Sequence, residues 1–292
     1  MPASIPPALV DPHVHIWDLA QFHLPWMEGV PESIKRNFGP EDFMRDTSGL
    51  NVERALYMEV DVDPSQQSEE VQFAIELCQS PSNNFIAAVV GGSLLADDFR
   101  AYVDRFAGQN AIKGVRTVLH TPERPAGYCL QPKFVDSIRY LGDQGLSFDL
   151  CMRRAEIRDA AKLAQESPRT LFILNHCGGI SGAAHDLDTM EDWKQSIATV
   201  AGQENIVCKI SGIVDPGLGE NWSADQLSER VNVCLDAFGP DRVMFAGDWP
   251  VLLMGGSYQQ WVEALSTIVA DRDEEFRQKL FYDNALRIYR MN

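Results

Sequence analysis

Eight short apolar segments, many of them rich in β-branched residues, constrain the fold of this chain more than any other feature. They span 8–15, 54–61, 85–91, 112–119, 146–151, 170–176, 205–211 and 242–248. Several are apolar almost throughout, which is typical of strands that are covered on both faces. Apolar residues recur at helical spacing between them, at 65–79, 131–143, 154–166, 191–201, 223–238 and 257–270. This alternation predicts parallel β-α-β units.

Such units can form either a doubly wound open sheet or a closed barrel. The glycine pairs of the chain, such as Gly178 and Gly179, do not give the G-x-G-x-x-G pattern that marks a dinucleotide-binding sheet. Eight strands in 292 residues favour an α/β fold of the (β/α)8 barrel type, as a single domain over residues 1–292. Its active site should lie at the carboxyl ends of the strands, under an insertion at about 17–50 that follows the first strand.

The charge balance bears on partners rather than on the fold. The chain has 25 Lys and Arg against 42 Asp and Glu, a net charge of −17, which repels nucleic acid and anionic lipid. Its 6 Cys are scattered without a CxxC pair, as is usual in a reducing compartment. We find neither an apolar run of about 18 residues that could cross a membrane nor a secretory signal. We therefore expect a cytoplasmic protein that binds neither nucleic acid nor membrane.

Polar side chains stand where the apolar strands end. His13 and His15 close the first predicted strand, and because side chains alternate along a strand, both point the same way, into the barrel. Two imidazoles on one face can hold a divalent ion, or they can be ordinary packed or surface residues. His176 ends the sixth strand as a site residue or a hydrogen-bonded core histidine. Asp248 ends the eighth, where it either caps the next segment or needs a cation or hydrogen bonds to offset its charge.

Three further strands carry charges that a barrel would bury, at Glu59, Arg116 and Lys209. These charges could balance one another in an internal network or contact a substrate. Arg116 is the best ligand candidate, because its planar guanidinium suits carboxylate and carbonyl oxygens. Asp149, on the fifth strand, is ambiguous between the two roles.

The insertion after the first strand supplies aromatic residues. Trp17 and Trp26 could cover a small ligand or pack within the insertion itself. His120, after the fourth strand, could reach the mouth of the barrel, whereas we expect His23 and His185 in loops.

These residues fall in a set of motifs that resembles a known family. The motifs are DPHVHIWD from Asp11, GVR ending at Arg116, NHCGG from Asn175, KISG from Lys209 and GDWPV from Gly247. Together, and in this order, they resemble the amidohydrolase superfamily, in particular its branch of sugar lactonases and 2-pyrone-4,6-dicarboxylate lactonase. HxHxWD combined with DWPV is far more specific than either motif alone. The resemblance implies a distorted (β/α)8 barrel and hydrolysis of a lactone ring.

The resemblance also implies roles for individual residues. One divalent ion, zinc or manganese, would be held by His13, His15, His176 and Asp248. Asp248 would be the catalytic base, with His176 as a second catalytic residue. The residues expected to contact substrate are Arg116, Lys209, Glu59 and Trp17.

Two departures from the family pattern argue against a binuclear metal site. The fourth strand ends with Arg116 rather than a bridging Lys or Glu, and the fifth lacks a histidine after Asp149. Some relatives are thought to work without metal, so we expect one ion or none.

The expected reaction is attack of water on a lactone carbonyl, with Asp248 taking the proton. We favour a sugar 1,4- or 1,5-lactone as substrate, with the lactone dicarboxylate of an aromatic pathway as the alternative. A metal-dependent decarboxylase and a barrel that binds a sugar acid without turnover are the remaining alternatives. A monomer and a homodimer are both compatible with the sequence.

Overall fold

The structure, a computed structural model, describes residues 5–184 and 186–291. In these residues eight parallel strands form one sheet in sequential order. They are β1 Leu9–Val14, β2 Val52–Met58, β3 Phe85–Gly91, β4 Ile112–Val118, β5 Ser147–Cys151, β6 Phe172–Leu174, β7 Ile206–Ile210 and β8 Val243–Phe245. Each lies within or overlaps a predicted strand, and the predicted α/β barrel is confirmed.

The barrel closes between the residues that follow β1 and β8. The His15 amide donates to the carbonyl of Trp249 at 2.7 Å, and the Asp248 amide donates to the carbonyl of His13 at 3.0 Å. Val14 and Trp249 form an isolated parallel bridge at the same place. Because β6 and β8 contain only three residues each, the barrel is distorted, as the resemblance implied.

Helices follow the strands and cover the sheet. The six predicted helical segments correspond to Gln67–Gln79, Pro132–Asp143, Ile157–Glu166, Leu187–Ala201, Ala224–Phe238 and Tyr258–Ile268, of which Leu187–Ala201 begins four residues before the predicted start at 191. The structure adds short helices at Pro40–Asp46, Phe99–Asp104, Glu274–Gln278 and Asn284–Tyr289, the last two joined by a π-helical turn, Lys279–Asp283. Among the described residues, no helix combines the length and apolar character needed to cross a membrane.

The C-terminal helix closes one end of the barrel. Ile288, Tyr289 and Met291 pack in one buried cluster with strand residues such as Val10 and Leu56. Tyr289 reaches far enough to donate its hydroxyl hydrogen to Asp149 on β5, 2.9 Å from each carboxylate oxygen. The C-terminal helix therefore seals one end of the barrel, next to Asp149, and the opposite end of the barrel stays open.

The insertion at 17–50 packs against the open mouth. It contains the short 3-10 turns Pro25–Gly29 and Glu32–Ile34 before the helix Pro40–Asp46. Its aromatic residues Trp17 and Phe38 stack edge to face, and Phe38 packs in the same way on Trp249 after β8. The insertion therefore forms one side of the site.

Candidate active site

Four side chains from three strand ends meet at the mouth of the barrel. The Nε2 atoms of His13 and His15 lie 3.1 Å apart, and each is 3.5 Å from Oδ1 of Asp248. Nε2 of His176 lies 3.8 Å from the same oxygen. The convergence on which the sequence interpretation depended is therefore present, while the chemical roles of the four residues stay predictions.

Two of these side chains, those of His176 and Asp248, are oriented by a strained backbone. His176 and Asp248 have φ values of +56° and +58°, in the left-handed region that non-glycine residues rarely occupy. Both come just after very short strands, so the left-handed residue turns the chain where pairing stops. Such strain persists only where the surroundings enforce it, and it concentrates at functional sites.

The second nitrogen of each histidine is held by a neighbour. His15 Nδ1 lies 3.1 and 2.9 Å from the carbonyl oxygens of Met58 and Glu59. Because a carbonyl can only accept, His15 carries its proton on Nδ1 and turns the lone pair of Nε2 toward Asp248. His176 Nδ1 is anchored 3.0 Å from the hydroxyl of Ser211.

Burial sets the charge states of the cluster. It lowers the pKa of His13 well below its usual value, and it lowers the pKa of His176 to about 4 despite the opposing charge of Asp248. Burial by itself would raise the pKa of Asp248, but the neighbouring His176, His15 and Arg116 together bring it below its ordinary value. Near neutral pH the site therefore places the Asp248 carboxylate against the neutral imidazoles of His13 and His176.

Lys209 lies beneath the cluster rather than at the mouth. Its side chain is fully buried, with Nζ 2.8 Å from Asp149 Oδ1 and 3.2 Å from His13 Nδ1. Asp149, ambiguous in the sequence, also accepts from Asn175 at 2.8 Å and from Tyr289. The structure thus places Lys209 behind His13, in an internal network with Asp149.

Glu59 and Arg116 form a second buried pair. Arg116 Nε donates to Glu59 Oε1, and Nη2 donates to the Glu59 carbonyl at 3.0 Å. Within the part of the chain that the structure describes, Nη1 of Arg116 has no protein partner. The other oxygen of Glu59 accepts the Asp61 amide at 2.6 Å. Glu59 therefore holds Arg116, while Arg116 faces the site.

A cavity of about 970 Å³ opens above the cluster. Predicted site residues that line it are His15, Trp17, Arg116, His176 and Asp248, and His120 and Trp26 also reach it. Lys209 and Glu59 are not among its lining residues. The imidazole of His23 is 72% exposed and lies away from the cavity, and His185 falls outside the described residues.

Three of the four predicted metal ligands form a compact donor set. One ligand atom from each of His13, His15 and Asp248 lies within 4.8 Å of the others. Ligands bonded to zinc at about 2.0–2.2 Å in a tetrahedron sit about 3.3–3.5 Å apart, close to the 3.1 and 3.5 Å observed. These residues fit a divalent ion. His176 is not part of that group among the described residues.

Nearly the whole chain matches one family in a comparison with known proteins. The family model described as "Amidohydrolase" covers residues 10–291. The chain belongs to the amidohydrolase family. The predicted resemblance and the prediction of a hydrolase are confirmed.

Individual relatives cover nearly the whole amidohydrolase. The uncharacterised protein y4mH of Sinorhizobium fredii is 30% identical over 97% of this chain and 99% of its own. An L-fucono-1,5-lactonase of Burkholderia multivorans is 25% identical over 86% of this chain and 85% of its own. The crystal structure of a Burkholderia multivorans amidohydrolase with bound zinc superposes with a TM-score of 0.87 at 22% identity, covering 98% of this chain and 100% of that one. This last likeness shows the shared fold.

Asp11, which the sequence did not single out as a site residue, also helps to build the site of the amidohydrolase. Asp11 accepts the amide hydrogens of His13 at 3.0 Å and Gly247 at 2.9 Å, and the hydroxyl hydrogen of Tyr258 at 2.8 Å. It thereby ties the end of β1 to the end of β8, next to Asp248. Its only signal in the sequence was its place in the DPHVH motif.

Proposed function

We propose that this amidohydrolase opens a lactone ring by adding water to its carbonyl carbon, with Asp248 as the base. The observation that carries the proposal is a single carboxylate, Asp248, whose pKa lies below its ordinary value and which sits within 4 Å of three imidazole nitrogens where the barrel opens into a cavity. The L-fucono-1,5-lactonase of Burkholderia multivorans, to which this chain is similar over most of its length, supports the same reaction class.

The donor set of His13, His15 and Asp248 would hold one divalent ion, zinc or manganese. When bound, such an ion supplies Lewis acidity toward the carbonyl oxygen and the attacking water. The carbonyls of Met58 and Glu59 hold His15 in the Nδ1-protonated form, which leaves the Nε2 lone pair able to coordinate the ion.

The chain's own residues account for the movement of protons. Asp248 takes a proton from water as its oxygen attacks the carbonyl carbon, and Arg116 donates from Nη1 to the oxyanion that forms. The bond from carbon to ring oxygen then breaks, and protonated Asp248 returns the proton to that oxygen. The hydroxy acid that forms ionises in water, so each turnover releases one proton.

Asn175 places a buried, unsatisfied acceptor beside the cavity. The residue is 2% exposed and lines the cavity, and its Oδ1 has no hydrogen-bond partner among the described residues. A buried acceptor of this kind is costly unless a ligand or water satisfies it.

The cations at the cavity favour a neutral lactone over a dicarboxylate. Arg116 is paired with Glu59, and Arg153 is held by Glu156 at 2.6 Å and by the Thr121 carbonyl at 2.9 Å. Two carboxylates entering this site would have to compete for guanidinium groups that are already paired. A neutral lactone, with L-fucono-1,5-lactone as the first candidate, needs only the unpartnered Nη1 of Arg116.

A pH-indicator assay tests the proposal. The purified protein is mixed with L-fucono-1,5-lactone and a panel of 1,4- and 1,5-lactones, and proton release is compared with spontaneous hydrolysis. We expect release well above the spontaneous rate for at least one lactone. Binding measured by calorimetry without any proton release would identify a non-catalytic barrel and overturn the proposal.

A further inference from the structure

The loops beyond the strand ends line one side of the cavity, here called the wall, mainly with apolar side chains. Apolar side chains reach it from the insertion, from the segments after β5 and β6, and from the turn after β8. They are Trp26, Val30, Met152, Ile180, Val251 and Met254. Trp26, Val30, Val251 and Met254 are only half-buried in the protein. Apolar groups left partly open around a concave site are a sign of ligand contact.

The indole nitrogens of the two tryptophans at the cavity are already used by the protein. The indole nitrogen of Trp26 donates to the Val60 carbonyl at 2.7 Å, and that of Trp17 donates to the Arg36 carbonyl at 2.7 Å. Both tryptophans therefore offer the cavity only carbon surface.

Asp215, one of the acidic residues that line the cavity, is likewise satisfied within the protein. Asp215 Oδ1 accepts the Gly217 amide at 2.9 Å, and Oδ2 accepts the Ser181 hydroxyl at 2.8 Å and the Gly182 amide at 2.7 Å. Both carboxylate oxygens are occupied, so a substrate hydroxyl that enters here gains no free partner.

A polyhydroxylated substituent would be penalised against such a wall. Each hydroxyl that loses water without gaining a partner reduces affinity by roughly tenfold or more. The cavity, at about 970 Å³, is also near the upper limit of about 1,000 Å³ for small-molecule sites, more than a lone lactone ring needs.

We propose that the substrate is a lactone whose ring carries an apolar substituent, an alkyl or aryl chain, that lies against Trp26, Val30, Val251 and Met254. The ring itself sits at Asp248 and Arg116. This inference rests on the proposed lactone hydrolysis and names the part of the substrate that lies outside the ring.

A homologous series of 1,5-lactones tests it. The alkyl chain on the ring carbon next to the ring oxygen is lengthened from methyl to hexyl, and kcat/KM is measured for each member. Burial of one methylene against apolar surface gives about a three- to fourfold gain, so we expect hexyl to exceed methyl by about a hundredfold or more. L-fucono-1,5-lactone is measured in parallel.

A matched pair of variants assigns the gain to the wall. Met254→Gln keeps the length of the side chain but places an amide in the cavity, and we expect the gain per methylene to fall below twofold. Met44→Gln makes the same exchange at an exposed position, 40% accessible and outside the cavity, and should keep the wild-type gain.

The outcomes separate the inference from the proposed function. Hydrolysis of L-fucono-1,5-lactone without any gain along the alkyl series overturns the apolar substituent and leaves lactone hydrolysis intact. If the protein hydrolyses no lactone of either kind, both proposals fall. If the gain in kcat/KM per methylene falls equally in Met44→Gln and Met254→Gln, the gain cannot be assigned to the wall.

Discussion

The imidazole of His176 lies against the backbone of Gly212. A Cβ atom at Gly212 would be 2.4 Å from both Cγ and Nδ1 of the ring, far inside van der Waals contact. Gly212 also has a φ of +65°, so two constraints require glycine there. The orientation of His176, which follows β6, therefore depends on the absence of a side chain at Gly212, which follows β7.

Gly212→Ala should therefore impair catalysis by displacing His176. A shift of about 1 Å in an active-site group can cost about a hundredfold in rate, and we expect a loss in kcat/KM of that order. Gly219→Ala is the matched control, because Gly219 has a φ of +77° but open space within 4 Å. Gly219→Ala should lose about 1–3 kcal/mol of stability, because a φ of 77° with a ψ of 175° strains alanine, and should keep its activity. Equal losses of activity in both variants would point to backbone strain alone.

Asp248→Asn should abolish nearly all turnover while the protein stays folded. The amide has the same shape but cannot take a proton from water, so kcat should fall much more than KM changes. Asp97→Asn, at a fully exposed carboxylate, controls for the loss of one negative charge. Proton release and the thermal midpoint are measured for both. Activity of Asp248→Asn within about tenfold of wild type would exclude Asp248 as the base.

The sequence was sufficient to predict the strands and the His13–His15 pair. Both depend on local properties: apolar strands covered on both faces, and the alternation of side chains that sends positions 13 and 15 the same way. Helical spacing predicted six helices but not the C-terminal helix that closes one end of the barrel, because its burial depends on tertiary packing. Tyr289 and Asp149, which meet there, are 140 residues apart.

The sequence could not predict which acidic residue pairs with Arg116 and which with Lys209. Residue types at the strand ends suggested that Arg116 and Lys209 had similar roles, yet only Arg116 lines the cavity. Which cation faces the mouth depends on its height along the strand and on its partner, Glu59 or Asp149, from a different strand. Nor does the residue type of Asp248 or His176 reveal a left-handed backbone.

Asp61 should make stability depend on pH. Burial and the neighbouring Glu59 raise its pKa to about 6, against the opposing effects of Arg124 and Arg116. The folded state therefore keeps a proton that the unfolded chain loses near pH 3.8. This contribution to stability is complete below that pH and is lost as the pH rises through 6. We expect the difference in free energy of unfolding between wild type and Asp61→Asn to fall by about 2–3 kcal/mol between pH 4 and 7.

Asp61→Asn is a suitable reference because asparagine also tolerates the φ of +49° at this position. Denaturant unfolding at a series of pH values provides the measurement. A constant difference between the two proteins from pH 4 to 7 would show that Asp61 is ionised throughout.

Metal binding should stabilise the folded protein through His13, His15 and Asp248. At an ion concentration a hundredfold above Kd, binding to the folded state alone adds about 2.7 kcal/mol, or about 4–5 °C in Tm for a chain of this size. We expect zinc or manganese to raise Tm of the wild type after chelation, and His15→Gln to abolish most of this rise. His23→Gln, at an exposed histidine away from the cavity, should respond as wild type does. An equal rise in all three proteins would place the ion elsewhere.

Lys209 should matter for stability through Asp149, because the pair is buried and joined at 2.8 Å. Lys209→Met leaves the Asp149 carboxylate without a cation in the sealed part of the barrel, and removal of one partner from a buried pair costs about 3–5 kcal/mol. Combining Lys209→Met with Asp149→Asn removes the unpaired negative charge, and the amide oxygen can still accept the hydrogen bond from the Tyr289 hydroxyl. The double variant should therefore be more stable than Lys209→Met. Denaturant unfolding of the wild type, both single variants and the double variant gives the coupling energy. Additive losses would show that Lys209 acts by packing alone, without its charge supporting Asp149 beneath His13.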